Sequence, residues 1–162
     1  MSKPIDLPIT ESCFICGRSN PYGLKMQFTA KGGEVTATLT PPPVYMGYEG
    51  VLHGGIITAL LDETMGWAAA LAVSRMCMAA EMTVRFRRPV LIGSPITIKG
   101  RFVENQRRIL IAEGRIIDSE DNVLATATGK FLPISDEKAK QIDREYLIYP
   151  EGGKKLFSGN GD

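Results

Sequence analysis

Apolar and polar residues alternate along most of the chain, a pattern typical of strands that bury one face. The alternation covers six segments, at residues 23–30, 34–41, 80–90, 94–105, 107–120 and 122–134. Short polar turns, such as Lys31-Gly32-Gly33, separate neighbouring segments. Adjacent strands that are joined by short turns pair in antiparallel fashion, so we expect an antiparallel sheet.

Residues 54–74 break this alternation. Apolar residues recur there at 56/57, 60/61, 65 and 68/69, which is helical spacing. The helix is apolar on nearly all sides, and such a helix is usually wrapped by the rest of the fold. The order of two strands, one helix and four strands predicts an α+β fold, in which one antiparallel sheet wraps around one long central α-helix.

The 162 residues correspond to one ordinary domain. We predict an N-terminal extension over 1–12, the main domain over 13–134, and a charged C-terminal helix with a flexible tail over 135–162. The net charge of +1 gives no electrostatic footprint for nucleic acid. No unbroken apolar stretch reaches the roughly 18 residues of a membrane span, and the N-terminus lacks the apolar core of a signal peptide. We therefore expect a cytoplasmic protein with neither nucleic acid nor membrane as partner.

Three cysteines, Cys13, Cys16 and Cys77, fit a reducing compartment. Cys13 and Cys16 form a Cys-x-x-Cys pair, a spacing that supplies half of the ligands in some zinc sites, but a closed site needs about four ligands. Cys77 and His53 are the only further cysteine and histidine, and neither has a partner at metal-ligand spacing. The segment does not resemble the strand-to-helix turn of redox pairs. We interpret these residues as buried structural thiols and predict no metal and no cofactor.

The predicted helix has the only histidine, His53, at its start and two adjacent acids, Asp62 and Glu63, in its middle. Apolar neighbours surround the acids, and an acid in apolar surroundings has a raised pKa. That environment suits a general base or a nucleophile. His53 and Asp62 are nine residues apart, which puts them roughly 13 Å apart on opposite sides of one helix. A site that uses both therefore needs a second chain, with the two helices antiparallel about a two-fold axis.

The glycine pair after the histidine fits the same chemistry. Gly54 and Gly55 have no side chains, so a ligand is able to approach their backbone N–H groups. They lie at a helix N-terminus, where unpaired donors and the positive end of the helix dipole favour negative charge. Those are the requirements of an oxyanion hole for acyl transfer.

These residues carry a family resemblance. The segment "GVLHGGIITALLD" (50–62) resembles the His-Gly-Gly and Asp motif of hotdog-fold acyl-CoA thioesterases, in the phenylacetate-pathway (PaaI-type) branch. The segment "CFICGRSNPYGLKMQF" (13–28) is similar to the N-terminal stretch of one subgroup, and residues 80–100 resemble the family's strand pair. The resemblance covers about residues 13–133.

The resemblance implies a hotdog fold and a homodimer, or a dimer of dimers, with two equivalent sites at the subunit interface. It implies that the chain hydrolyses an acyl-CoA thioester. Asp62 matches the family's catalytic acid, and Gly54 and Gly55 match the amides that polarise the thioester carbonyl. His53 matches the motif histidine, which orders the loop and contacts the acyl group. Glu63, next to the matched position, is the weaker candidate.

Two positions depart from the family's pattern. Gly47 lies six residues before the histidine, where many relatives carry Asn or Gln. Ala79 lies ten residues before the proline of the Arg-Pro pair, where many carry Ser or Thr. Those side chains help to hold the carbonyl or the water, a part that Glu49 or Thr83 would have to take here. The departures support an alternative function, a non-catalytic acyl-CoA-binding or regulatory module on the same fold.

A coenzyme A substrate carries phosphates that need cations or helix ends. The densest basic cluster is "RFRRP" (85–89), and it makes Arg87 and Arg88 our candidates for phosphate contact. A solvated outer strand face explains the same residues equally well. Arg107 and Arg108, in a predicted hairpin turn, form a weaker second candidate.

Overall fold

The structure is a computed structural model that describes residues 3–153 and 155–157. It consists of a seven-stranded antiparallel sheet, a long helix packed against it, a second short helix and a small two-stranded sheet. The elements in chain order are β1 (Ile5–Asp6), β2 (Ile9–Thr10), β3 (Thr29–Lys31), β4 (Glu34–Leu39), α1 (Gly54–Val73), β5 (Cys77–Phe86), β6 (Ile96–Gln106), β7 (Ile109–Ile117), β8 (Val123–Pro133), α2 (Asp136–Glu145) and β9 (Leu147–Ile148).

The strands of the large sheet follow the order β1-β3-β4-β6-β7-β8-β5, and β2 pairs with β9 in the small sheet. Every pair is antiparallel. The long strand β5, which follows the helix directly, lies at one edge of the sheet and pairs with β8. The predicted α+β hotdog architecture is confirmed.

Helix α1 lies across the sheet and contacts five of its strands, β4 to β8. The helix comes unusually close to β6, because a Cβ atom added at Gly100 would lie 2.8 Å from the carbonyl oxygen of Thr64. Only a glycine permits that approach. By length and composition α1 would also suit a membrane span, but its packing against the sheet gives it the position of a core helix.

The first predicted strand is shorter than its sequence pattern. Leu24, Met26 and Phe28 are buried as the alternation requires, yet the ladder begins only at Thr29. The preceding backbone bonds to loop segments instead, since the Leu24 and Met26 N–H groups donate to the carbonyls of residues 14 and 15. Lys25 takes a left-handed conformation with φ of 53°. The side chains of residues 24–28 are therefore alternately buried and exposed, although the backbone there forms no regular strand.

The C-terminal segment returns to the core helix. Helix α2 starts after Ser135, whose side chain accepts a hydrogen bond from the Lys138 N–H. Further along, the ring of Phe157 stacks on Trp67 of α1 at a centroid distance of 6.2 Å. The segment is thus anchored to α1 at Phe157, while residues 158–162 of the predicted flexible tail lie outside the described residues.

Candidate active site

The loop before α1 folds back onto His53, the residue that directly precedes the helix. The His53 N–H donates to the Tyr45 carbonyl, and the Gly47 N–H donates to the Val51 carbonyl. A Cβ atom at Gly47 would lie 3.1 Å from the Cα of His53. The absence of a side chain at position 47 therefore lets the loop pack closely against the histidine.

His53 is the N-cap of α1. Its Nδ1 accepts a hydrogen bond of 2.9 Å from the Gly55 N–H, so the side chain satisfies one of the otherwise unpaired donors of the first turn. The His53 carbonyl accepts from the N–H groups of Ile56 and Ile57. In this structure the Gly55 N–H, one of the two predicted oxyanion donors, is thus engaged by the motif histidine.

Asp62 lies in the middle of α1, on a partly buried position that lines a cavity of about 350 Å³. The cavity walls are otherwise mostly apolar and come from α1, the start of β5 and β8; they include Glu63, Gly66, Trp67, Ala70, Met76, Cys77, Met78, Ala79 and Phe131. Burial raises the pKa of the Asp62 carboxyl. An acid with a raised pKa in a cleft is the state expected of a general base or nucleophile.

Glu63 is partly buried beside Asp62, and its surroundings add negative rather than positive charge. Burial, followed by the charges of Cys13 and Asp62, raises the pKa of Glu63 to about 7. Its carboxylate oxygens approach the sulfur atoms of Cys13 and Cys16. The two neighbouring acids therefore have different surroundings.

Thr83 and Arg87 lie on the outer face of the sheet, in a separate depression with strongly charged walls. The Arg87 Nε donates to Thr126 Oγ1 at 3.4 Å. Ion pairs cross the same surface, with Arg101–Glu113 at 2.8 Å and Lys99–Glu34 at 3.5 Å. The side of β5 that carries Thr83 is thus opposite to the side that faces the helix, as the alternation along the strand predicts.

Arg88 follows β5 and is exposed. Its N–H and that of Arg87 both donate to the Leu124 carbonyl, which ends the pairing with β8. The positive charge of Arg88 contributes to lowering the pKa of Asp118, after the hydrogen bonds from Asn122 and the turn backbone. Arg88 therefore projects near an acidic turn and does not line the depression that holds Arg87.

Comparison with known protein families and solved structures finds similar proteins. Residues 49–125, which contain the histidine, the glycine pair and both acids, match the family described as the thioesterase superfamily. A solved structure described as a thioesterase superfamily protein superimposes with a TM-score of 0.72 at 26% identity, over 76% of this chain and 61% of that one. Over residues 49–125, which are 77 of its 162 residues, the chain is similar to the thioesterase superfamily.

Two further proteins are similar to this chain, one in sequence and one in structure. The acyl-coenzyme A thioesterase THEM4 of Bos taurus is 30% identical over 99 residues, which is 60% of this chain and 40% of that protein. The chain thus matches less than half of that relative's length. The PaaI protein of the phenylacetic acid degradation operon of E. coli superimposes with a TM-score of 0.63 at 19% identity, over 69% of this chain and 81% of that one.

The predicted site residues of this chain fall into separate groups. Asp62, Glu63 and Ala79 line one cavity, whereas Thr83 and Arg87 line another. Within the described residues, no member of the first helical turn lines the Asp62 cavity. This separation agrees with the expectation that one chain alone does not bring the helix start to the acid.

Sequence reasoning missed one arrangement. Cys13 and Cys16 lie beside Glu63, although about 50 residues separate the pair from the acid along the chain. The prediction of buried structural thiols holds for Cys16, whereas Cys13 and Cys77 are only partly buried. It did not include the carboxylate as a neighbour. No local spacing signals such a contact, because the loop reaches α1 only through the tertiary fold. Met76, Met78 and Phe131 of the cavity wall were missed for the same reason.

Proposed function

We propose that this chain hydrolyses a thioester of the acyl-coenzyme A type, with Asp62 as the catalytic acid. The observation that carries the proposal is the partly buried Asp62 in a mostly apolar cavity, where burial raises its pKa. A carboxylate in such surroundings is destabilised and therefore a stronger base or nucleophile than one in water. The kinship with an acyl-coenzyme A thioesterase supports the substrate class.

The reaction needs one acid and one oxyanion site. Asp62 takes a proton from water as the water oxygen attacks the thioester carbonyl carbon, or attacks that carbon itself. The negative charge that develops on the carbonyl oxygen is stabilised by N–H groups at the start of a helix. The C–S bond then breaks, and the thiol leaves with a proton. In the water route the acyl group is released directly as the free acid. In the direct route it first forms an anhydride with Asp62, which a water molecule then hydrolyses to the free acid and the Asp62 carboxylate. Either route requires no metal.

The oxyanion donors in this proposal are Gly54 and Gly55 of a second chain. Strand β5 is an edge strand of ten residues with exposed apolar side chains, Met78 at 67% and Phe86 at 57% exposure. Such an edge is a template for pairing with another strand. Phe86 lies next to Gly54, since a Cβ there would be 3.5 Å from its ring, while Ala79 lines the Asp62 cavity.

This arrangement gives the dimer a specific geometry. Antiparallel pairing of two β5 strands about a two-fold axis puts the Phe86 end of one strand beside the Ala79 end of the other. The helix start of one chain is thereby brought towards the Asp62 cavity of its partner. We propose a homodimer of this kind, alone or as a dimer of dimers, in the cytoplasm.

His53 acts in this proposal as a positioning residue for the oxyanion site. Its Nδ1 holds the Gly55 N–H in the free chain. The carbonyl oxygen of the substrate then binds at the Gly54 N–H and shares or takes over the Gly55 N–H. We further propose that Arg87 and Arg88 contribute attraction for the phosphates of coenzyme A from the periphery.

The experiment is a panel of acyl-coenzyme A thioesters of different chain length, incubated with the purified chain and a thiol reagent. We expect release of free thiol with at least one thioester, and loss of that release in the Asp62→Asn variant. Asp121→Asn, a change in an exposed turn, is the matched control and is expected to keep full activity. Absence of thiol release from the whole panel would refute the hydrolytic function.

A second candidate, a non-catalytic acyl-CoA-binding module, is favoured by the hydrogen bond that occupies the Gly55 N–H and by the lack of polar side chains at Gly47 and Ala79. The same panel separates the two functions. Tight binding by calorimetry without thiol release supports the binding module, whereas multiple turnovers support the hydrolase.

A further inference from the structure

Two thiols and a carboxylate converge beside α1 at Glu63, the residue that directly follows Asp62. The sulfur atoms of Cys13 and Cys16 and a carboxylate oxygen of Glu63 all lie within 4.8 Å of one another. The cysteines come from the loop after β2, and the glutamate comes from the core helix. The proposed hydrolysis uses none of the three.

The loop that carries the cysteines points backbone donors at both sulfur atoms. The Ile15 N–H donates to Cys13 Sγ at 3.3 Å, and the Thr10 N–H donates to Cys16 Sγ at 3.4 Å. The turn is tight, because a Cβ atom at Gly17 would lie 2.4 Å from the Cys13 carbonyl oxygen. Hydrogen bonds to sulfur favour the thiolate, which is the form that binds metal ions. For Cys16 this effect of the Thr10 N–H is outweighed, since the hydrogen bond with Cys13 and burial raise the pKa of its thiol.

Charge around the cluster is unbalanced. In the described part of the chain, no lysine, arginine or histidine lies within ion-pair distance of Glu63. Groups that become anionic in a partly buried position need protons or a cation to compensate them. One helical turn further along, the Nε1 of Trp67 is buried and has no hydrogen-bond partner among the described residues. The Trp67 side chain is close enough to Glu63 to counteract part of the rise in the pKa of that carboxyl, but its N–H makes no hydrogen bond of regular geometry to a described residue.

We propose that Cys13, Cys16 and Glu63 bind a zinc ion, with a water molecule as the fourth ligand. Two thiolates and one carboxylate are zinc ligands, and thiolate sulfur selects zinc over magnesium or calcium. Zinc–sulfur bonds of about 2.3 Å and zinc–oxygen bonds of about 2.1 Å put the ligand atoms about 3.6–3.8 Å apart in a tetrahedron. The observed cluster reaches that geometry by side-chain movements of roughly 1 Å. The water would provide an acceptor for the Trp67 N–H.

The site gives the N-terminal segment a structural connection to the core. Zinc would join the loop of Cys13 and Cys16 to α1 at the residue that directly follows Asp62. Zinc that is bound only by the folded chain stabilises it by mass action. The inference stands independently of the hydrolytic function, because it predicts metal binding whether or not the chain cleaves thioesters.

The test is elemental analysis of the full chain, produced without a metal-binding tag, reduced and then incubated with zinc chloride and desalted. We expect about one zinc per chain. Cys13→Ser and Glu63→Gln are each expected to weaken zinc binding by about tenfold or more in competition with a chromogenic chelator. Cys77→Ser, Glu120→Gln and Asp62→Asn are matched controls that keep the zinc. Replacement by cobalt is expected to give thiolate-to-metal absorption that Cys13→Ser reduces.

Each other outcome overturns the proposal. Free thiols without zinc after this treatment would show that the cluster is a packing contact. A Cys13–Cys16 disulfide in the purified chain, with no zinc uptake after reduction, would assign the pair to redox chemistry. Undiminished zinc affinity in a folded Glu63→Gln variant, verified by circular dichroism, would remove the carboxylate from the site.

Discussion

The two sides of helix α1 have opposite characters. On the side that faces the sheet, Leu60, Leu61, Thr64 and Met65 are fully buried, and the one polar group satisfies itself, since Thr64 Oγ1 donates to the Leu60 carbonyl at 2.6 Å. On the other side, Asp62 and Glu63 are carboxylates in partly buried positions where burial raises the pKa of each. The side that faces the sheet is thus fully buried without a second chain.

The difference separates stability from function on a single helix. Close packing against the sheet stabilises the fold, and the polar Thr64 on that side has its hydrogen bond within the helix. The acidic side is costly for folding unless protons, a ligand, a metal or a second chain compensates it. Substitutions on one side of α1, compared with substitutions on the other side, test whether stability and function are separate.

The largest expected effect is on turnover after Asp62→Asn, which removes the base and keeps the size. We expect a fall of about a hundredfold or more in the rate of thiol release, from the scale of acid–base contributions. Urea denaturation is expected to show an unchanged or higher stability, because an uncompensated partly buried charge is removed. Near-normal turnover would exclude Asp62 and direct attention to Glu63.

The sheet side is tested by Gly100→Ala. The added Cβ would lie 2.8 Å from the Thr64 carbonyl oxygen, so the helix must shift. We expect a loss of about 1–3 kcal/mol in the free energy of unfolding, measured by urea denaturation. Gly66→Ala, on the acidic side, is the control: its Cβ would lie 3.5 Å from the Phe131 ring, an ordinary contact. That variant is expected to be stabilised by roughly 0.5–1 kcal/mol, and equal losses in both would contradict the distinction between the sides.

The helix start is tested by His53→Ala, which removes the cap and frees the Gly55 N–H. We expect a loss of about 0.5–2 kcal/mol, which corresponds to a fall of a few degrees in Tm by calorimetry. Thr58→Val, in the first turns of the same helix, removes a hydroxyl that bonds to the Gly54 carbonyl and is expected to change Tm less. A Tm that is unaffected by His53→Ala would show that the cap contributes nothing.

The smallest expected effect is at the basic cluster. Charge removal by Arg87→Gln and Arg88→Gln is expected to raise KM for acyl-coenzyme A by about two- to fivefold, the scale of exposed charge interactions. The kcat is expected to stay nearly constant, because the interaction is the same in the ground and transition states. A substrate truncated to the pantetheine arm lacks the nucleotide phosphates and is expected to show no such rise. Equal effects on both substrates would make the arginines structural.

The side of α1 that faces the sheet could be predicted from the sequence, whereas the surroundings of Asp62 and Glu63 could be predicted only in part. Alternation and helical spacing located the strands and the start of α1 at Gly54, because one buried face dictates each pattern. They did not foresee that residues 24–28 bond to loops, since burial fixes the side chains and not the hydrogen-bond partners. The approach of Cys13 to Glu63 and of Phe157 to Trp67 depends on tertiary contacts that no local pattern encodes.

The central claim is that Asp62 of one chain works with the helix start of another, and mixing two inactive variants tests it most directly. Chains with Asp62→Asn are unfolded and refolded together with chains that carry Gly55→Val, and native mass spectrometry confirms the mixed dimers. In a mixed dimer one site combines both changes and the other is intact, so we expect about a quarter of the wild-type activity from an equal mixture. No recovery of thiol release, although mixed dimers are present, would contradict a site built from two chains.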